Sequence, residues 1–297
     1  MKDVQNHNTT KSFALNRVGI SEVLKPACIQ RPDKVVMLTA KIDVAVDLPP
    51  DLKGAHLSRN MEVLTEIIDN SVRTPAESLE SLCLRCANSI LERHEYASVA
   101  EVSMEAVYFL EKGTKPSMES YLLFAKSISN RNGHFRRFLG VEVAGMTACP
   151  CAMETLREKL IEEHGNREIL EKMPVITHNQ RNRIRIELEI PAGEEIEADD
   201  LIEIGERALS TPTYGILKRG NEAEIVLQAH KNPKFVEDVV RDALELILEK
   251  YGNFPENTYV KVCSESEESI HKHNAFAEKT TNMGELKKEF RSQCRSQ

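Results

Sequence analysis

No apolar run in this chain approaches the roughly 18 residues that suggest a membrane span, and the N-terminal "MKDVQNHNTTKSF" lacks the apolar stretch of a secretory signal. A cytoplasmic protein with a polar, frayed start and no membrane partner is expected. Basic residues are not in excess: 39 Lys and Arg against 47 Asp and Glu leave a formal net charge of −8. Nonspecific binding to phosphate backbones needs the opposite balance, which argues against a nucleic-acid partner but leaves room for a small anion on a local basic cluster. The cysteine spacing of a small secreted framework is missing as well. Seven cysteines, an odd number scattered among helix-like and strand-like segments, read as reduced thiols.

What is present is enough material for a sizeable core: 297 residues, 41% of them hydrophobic and 29% charged, suit one large domain or two ordinary ones. Residues 35–47 alternate, with Val36, Leu38, Ala40, Ile42, Val44 and Val46 on one face and Thr39, Lys41 and Asp43 on the other, which predicts a half-buried strand. From Ser58, read as an N-cap, Met61, Leu64, Ile67 and Ile68 share a helical face, and a second helix follows over roughly Glu77 to Glu95. "YASVAEVSMEAVYFL", "MESYLLFAKSISN" and "RRFLGVEVAGM" predict three more strands.

The second half opens on the charged "AMETLREKLIEEHGNREILEKM", suited to one or two exposed helices. "NRIRIELEI" is a strand, "ADDLIEIGERALS" a helix, "EAEIVLQAH" strand-like, "KFVEDVVRDALELILEKY" a helix and "TYVKVCSE" a strand. Both halves mix antiparallel-type strands with paired helices, so the fold class is α+β with two related lobes. The boundaries expected are a flexible N-terminus over 1–13, a first lobe over 14–151, a helical insert over 152–174, a second lobe over 175–287 and a flexible C-terminus over 288–297.

The chemistry centres on "GMTACPCA", where Cys149 and Cys151 flank a proline directly after a strand. Alone, this pair is open between metal ligand, redox pair, nucleophile and buried small residues. A disulfide between the two is disfavoured by their spacing. Further donors stand elsewhere: His178 just before a strand, and His271 and His273 two residues apart, facing one side if extended. Thiolate, imidazole and carboxylate are the usual ligands of zinc or ferrous iron. Cys83 and Cys86 have Cys-x-x-Cys spacing but sit in a helical apolar pattern, which reads as core packing. Cys28, Cys263 and Cys294 carry no role.

"LPPDLKGAHLSRN" gathers Lys53, His56, Ser58 and Arg59 at a strand-to-helix junction. It reads either as a helix cap with surface charges or as an anion site at a helix N-terminus. "GILKRGNE" adds Lys218, Arg219 and Glu222, and Lys115 lies in another loop. Glu237 and Asp238 read by default as a solvated helix face.

Taken together, "LPPDLKGAHLSRN", "GMTACPCA", "THNQR", "LKRGNE", "NPKFVEDVVRD" and "ESIHKHNAFAE" resemble the GTP cyclohydrolase IB family, and most of all its archaeal branch, in order and wording from about residue 14 to about residue 287. The resemblance implies the tunnelling fold, in which ββαα-type units from several subunits form a barrel, and a homotetramer with active sites at subunit boundaries. It implies that Cys149 is catalytic and a metal ligand, with His178, Glu222 and His271 completing the set and His273 the alternative to His271. It makes Glu237 the guanine anchor, since one carboxylate can accept from the adjacent N1 and N2 donors. The phosphates of GTP then fall to Lys53, Arg59, Lys115 and Arg219, with His56 and Ser58 beside them.

Three departures from the bacterial pattern stand out: Ala152 in place of the usual Ser, "KRGNE" in place of "KRPDE", and 28 residues between Cys149 and His178, a longer spacing. The spacing resembles the archaeal branch, which implies ferrous iron, with zinc or manganese as alternatives, and release of formate to give 7,8-dihydroneopterin 2′,3′-cyclic phosphate for methanopterin synthesis. The alternative product is 7,8-dihydroneopterin triphosphate, for folate or queuosine. Two other readings compete. The related nitrile reductases use a cysteine nucleophile and NADPH without a metal, and "HNQR" and "HKH" speak against them. A noncatalytic, metal-stabilised purine- or pterin-binding scaffold would keep the thiol and histidines as structural groups.

Overall fold

The computed structural model describes residues 5, 7, 9, 11–112 and 117–293. In chain order the elements are β1 (Leu15–Gln30), β2 (Val35–Leu48), α1 (Leu57–Ser71), α2 (Leu79–Arg93), β3 (Val99–Lys112), β4 (Ser117–Asn130), β5 (Phe135–Ala148), α3 (Pro150–His164), α4 (Arg167–Lys172), β6 (Asn179–Ile190), α5 (Ala198–Ala208), β7 (Thr211–Pro212), α6 (Arg219–Lys231), α7 (Val236–Tyr251), β8 (Tyr259–Ser266), β9 (Ala275–Asn282) and α8 (Met283–Gln293). None of the described helices is long and apolar enough to cross a membrane.

Two compact units divide the chain. The first comprises the residues up to Tyr108, Leu122–Leu139 and Glu189–Glu195. Here β1 and β2 form an antiparallel hairpin and β2 pairs in turn with β3. The predicted alternation of β2 is realised: Leu38, Ala40, Ile42, Val44 and Val46 are buried, and Val63, Leu64 and Ile68 of α1 and Leu82, Cys83, Cys86 and Ile90 of α2 are buried with them. Each large side chain so buried contributes about 1.5–3 kcal/mol. Ser78 caps α2, its Oγ accepting from Ser81 N at 3.2 Å. Cys83 and Cys86 are core residues, and burial pushes the Cys86 thiol up to about 12.

Strand β1 was not legible, because only Ala27, Cys28 and Ile29 at its far end are buried and the rest shows no apolar alternation. Gly19 lets it approach β2 closely, since a Cβ there would lie 1.7 Å from Val44 O. One local expectation is corrected: α1 begins at Leu57 with His56 at the N-cap and no side-chain cap, so Ser58 lies inside the first turn. His94, at the end of α2, is fully buried, with Nδ1 2.8 Å from Tyr96 Oη and Nε2 2.8 Å from Asn60 Oδ1. Burial, with Arg59 and His56 nearby, holds its pKa down at about 4.

The second unit comprises Phe109–Tyr121, Gly140–Leu188 and the residues from Ile196 on. Strand β6 pairs antiparallel with β8 and β8 with β9, while β5 neighbours β6 and holds the short β7. Val141, Val143, Ile184, Ile186, Leu188, Val260 and Val262 form the buried sheet face, and Leu201, Ile202, Val239, Ala243 and Ile247 come from α5 and α7. Gly205 permits close helix packing, because a Cβ there would meet Val143 Cγ2 at 2.8 Å. The charged stretch after Cys149 forms α3 and α4, which bury almost nothing besides Met153.

Two expectations change here. "EAEIVLQAH", expected as a strand, belongs to helix α6: its Glu, Leu, Gln and Ala are good helix formers, and only Ala229 and His230 are buried, so there is no two-residue apolar alternation. Residues 288–293, expected within a flexible tail, lie in α8, which buries Leu286. Strand β9 carries no readable apolar pattern either, because its residues alternate only between half-buried and exposed positions.

Candidate active site

Strand β5 ends at Ala148, and Cys149 makes the turn into α3. Cys149 is the N-cap, Pro150 supplies the first helical residue, and Cys149 Sγ accepts from Ala152 N at 3.4 Å. Cys149 N donates to His178 O at 3.2 Å, which ties the thiol's backbone to the start of β6. On the other side Lys234 N donates to Ala148 O at 3.1 Å, which ties the same corner to the start of α7. Cys151 is exposed and does not line the cavity described next.

Around this corner lies a cavity of about 210 Å³, whose lining includes Cys149, Gln180, Lys234, Glu237, Ser266 and Glu268. Phe235 and Phe276, 45% and 75% exposed, also line it. His178 stands beside it: Nδ1 lies 3.0 Å from Gln180 Oε1 and 4.0 Å from Glu268 Oε2. Gln180 Nε2 in turn donates to Glu268 Oε1 at 3.2 Å. Lys234 is buried with its amine 2.6 Å from Asp242 Oδ2 and 2.8 Å from Ala208 O, so it braces the entry to α7.

The two acids opening α7 are separated by their partners. Asp238 accepts from Phe235 N at 3.1 Å and from Arg241 Nη1 at 2.8 Å, which makes it the capping acid. Glu237 has no hydrogen bond or ion pair among the described residues and faces the cavity. Its carboxylate is available to a ligand.

Of the donors expected for a metal, Cys149 and His178 meet at this corner. Their chemistry fits a first-row divalent ion: a thiol on the cavity wall, and an imidazole whose Nδ1 is engaged while Nε2 has no partner among the described residues. Glu222 lies exposed in the first turn of α6. His271 and His273 are exposed and stack on each other, with ring centroids 5.0 Å apart. Among the described residues no group of three or more His, Cys, Asp or Glu is gathered as a metal cluster.

The expected phosphate binders fall in different places. Lys53, His56, Ser58 and Arg59 belong to the first unit, where Arg59 Nη1 donates to Arg93 O at 2.6 Å. Arg59 lines a cavity of about 560 Å³ together with Arg93, Glu62, Glu92 and Glu95, where three carboxylates face two guanidinium groups and Arg93 is already paired with Glu62. Arg219 is exposed in the first turn of α6, in the second unit, without an ion-pair partner among the described residues. Lys115 lies outside the described residues.

Besides Ser266 at the end of β8, three polar residues of the cavity wall carry no role in the sequence reading, although each sits inside a motif that does. They are Gln180 in "THNQR", Lys234 in "NPKFVEDVVRD" and Glu268 at the head of "ESIHKHNAFAE". For Gln180 and Glu268, a polar residue at the rim of an apolar strand is the available signal; Lys234, in the loop before α7, has none.

Comparison with known proteins gives a consistent result. A family model described as type I GTP cyclohydrolase folE2 matches residues 1–277. The chain is 39% identical to the GTP cyclohydrolase MptA of Methanosarcina mazei over a 309-residue alignment that covers 98% of this chain and 97% of that protein. It is 40% identical to the GTP cyclohydrolase MptA 2 of Methanocella arvoryzae over 305 residues, covering 98% and 99%. Among solved structures it resembles the uricase of Arthrobacter globiformis, with a TM-score of 0.54 at 10% identity over 90% of this chain and 93% of that one. That likeness shows the tunnelling fold.

Proposed function

We propose, from the premise that this chain belongs to the type I GTP cyclohydrolase family, that it opens the guanine imidazole ring of GTP at C8 and releases formate, with 7,8-dihydroneopterin 2′,3′-cyclic phosphate as the product and the outer two phosphates leaving as diphosphate when the cyclic ester closes. The observation that carries this reading is Glu237, a carboxylate without a partner among the described residues, set on the wall of the cavity that also holds Cys149. Guanine N1 and N2 donate side by side, and one carboxylate accepts from both. Glu237 therefore sets the orientation of the base, and Lys234 keeps the helix start that carries it in place.

Ring opening requires water to add at C8 and a second hydrolysis to free formate. A bound divalent ion, ferrous iron by this reading and zinc or manganese as alternatives, lowers the pKa of water and supplies a nucleophile near neutral pH. Cys149 and His178 would hold it, and Glu222 with His271, or His273 in its place, are the candidates to complete the shell. His178, held through Nδ1, presents Nε2. A histidine left free of the ion can carry protons between water and the leaving nitrogen. Arg219, Lys53, Arg59 and Lys115 remain the candidates for the phosphates.

The chain is proposed to work as a homotetramer in the cytoplasm, with sites completed at subunit boundaries. The support is the pair of exposed phenylalanines on the cavity wall, which a neighbouring subunit would cover. Light scattering tests the assembly. The activity is tested by anaerobic reconstitution with each metal, followed by formate release and identification of the pterin formed from GTP. A triphosphate product would replace the cyclic one, and GTP binding without formate release would make the protein a scaffold.

A further inference from the structure

Within the cavity wall the polar side chains run in one direction. Glu268 is a carboxylate, which only accepts; Gln180 therefore turns its amide N–H towards it, at 3.2 Å from Oε1. That choice leaves Gln180 Oε1 as the atom facing His178 Nδ1 at 3.0 Å, and a carbonyl oxygen also only accepts. The proton of a neutral His178 must then sit on Nδ1, with the lone pair on Nε2. Without Glu268 the amide could rotate by half a turn and offer N–H to the ring, which would reverse the tautomer.

We propose that Gln180 and Glu268 are positioning residues that fix the tautomer of His178, with the amide of Gln180 relaying to the ring an acceptor polarity that Glu268 sets from 4.0 Å away. The relay is built rather than incidental. Gln180 is buried, and the His178 and Glu268 side chains are only 11% and 14% exposed, so water competes weakly for these bonds. Strand register brings them together: β6 and β8 pair antiparallel at Asn182 and Ser266, so residues 88 apart in sequence meet at one end of the sheet. The inference rests on the proposed function only where it assigns the free Nε2 to a metal; the tautomer itself does not depend on that reading.

The test uses full-length protein, labelled with 15N-histidine and stripped of metal, in which two-bond proton–nitrogen correlations report which ring nitrogen of His178 is protonated. Cobalt(II) binding on the same samples gives an affinity. The wild type should show His178 protonated on Nδ1 alone. Glu268→Ala should populate both tautomers and weaken cobalt binding by about 10- to 100-fold, the usual effect of losing an outer partner of a ligating histidine. Glu268→Gln, which can still offer an oxygen to the Gln180 amide, should restore most of both. Gln180→Met should behave like Glu268→Ala, and Glu268→Ala alone decides if that buried variant fails to fold. A wild type with the proton on Nε2, or a Glu268→Ala protein with unchanged tautomer, overturns the proposal. A tautomer that is released in Glu268→Ala while cobalt affinity stays unchanged leaves His178 outside the metal site and rejects that part of the proposed function instead.

Discussion

Replacing Glu237 by Gln keeps size and shape while exchanging one acceptor oxygen for a donor. In the wild type both guanine donors, N1–H and N2–H, can be accepted by the two carboxylate oxygens. In Glu237→Gln one N–H faces another, and a polar pair left unsatisfied costs about 1–3 kcal/mol, which corresponds to roughly 5- to 150-fold in GTP affinity. The structure supplies its own control in the neighbouring residue. Asp238 caps Phe235 N and pairs with Arg241, so Asp238→Asn should lower stability by up to about 1 kcal/mol and leave GTP affinity close to wild type. Calorimetric titration of metal-stripped protein, which cannot turn the nucleotide over, with GTP and with inosine triphosphate, which lacks the N2 amino group, separates base recognition from phosphate binding. Wild type should prefer GTP, and the preference should shrink in Glu237→Gln while binding of the inosine nucleotide changes less. Unchanged GTP affinity together with an unchanged preference would remove Glu237 from the guanine site.

Chelation should abolish formate release and ferrous iron should restore it; full turnover in rigorously metal-free protein would sink the metal-dependent reading, and the metal content of Glu222→Ala, His271→Ala and His273→Ala would show which of them completes the shell. Cys149→Ala should lose both metal and turnover, because it removes the thiol from the cavity wall, whereas Cys151 is exposed and Cys151→Ala should change stability by no more than about 0.5 kcal/mol; metal content and rate measured on both variants would reverse the assignment if Cys151→Ala were the inactive one. His94 has a folded pKa of about 4, below its unfolded value of 6.5, so the unfolded chain binds the proton first as pH falls. The stability it contributes is therefore present above pH 6.5 and lost towards pH 4, at up to about 1.4 kcal/mol per pH unit. Urea denaturation at pH 7 and pH 5 should show that loss in the wild type and a shallower one in His94→Gln; equal slopes would mean that His94 does not titrate as placed here.

Several elements could be read from local pattern alone. The alternation of β2, the apolar faces of α1, α2 and α7, and the strand character of β6 and β8 follow from periodicity, because each buries one face along its whole length. The six separated motifs were enough to place the chain in its family. Other elements escaped for a physical reason. Strand β1 buries only its far end, β9 has only half-buried positions on its inner side, and α6 is largely exposed, so none carries a periodic apolar signal from which its type could be read.

The site divides in the same way. Sequence by itself determined which chemical groups were available: the thiol after β5, the histidine before β6, and the two acids at the head of α7. Only the tertiary structure decided which of them share a cavity. The phase of α7 and its capping bonds leave the exposed Glu237 on the cavity wall and commit Asp238 to the backbone. The turn at Pro150 keeps Cys149 on the cavity wall and leaves Cys151 in solvent. Antiparallel register carries Glu268 to Gln180 across 88 residues of sequence, and so to His178, a contact that no local pattern encodes, because it depends on how two strands align and not on what either contains.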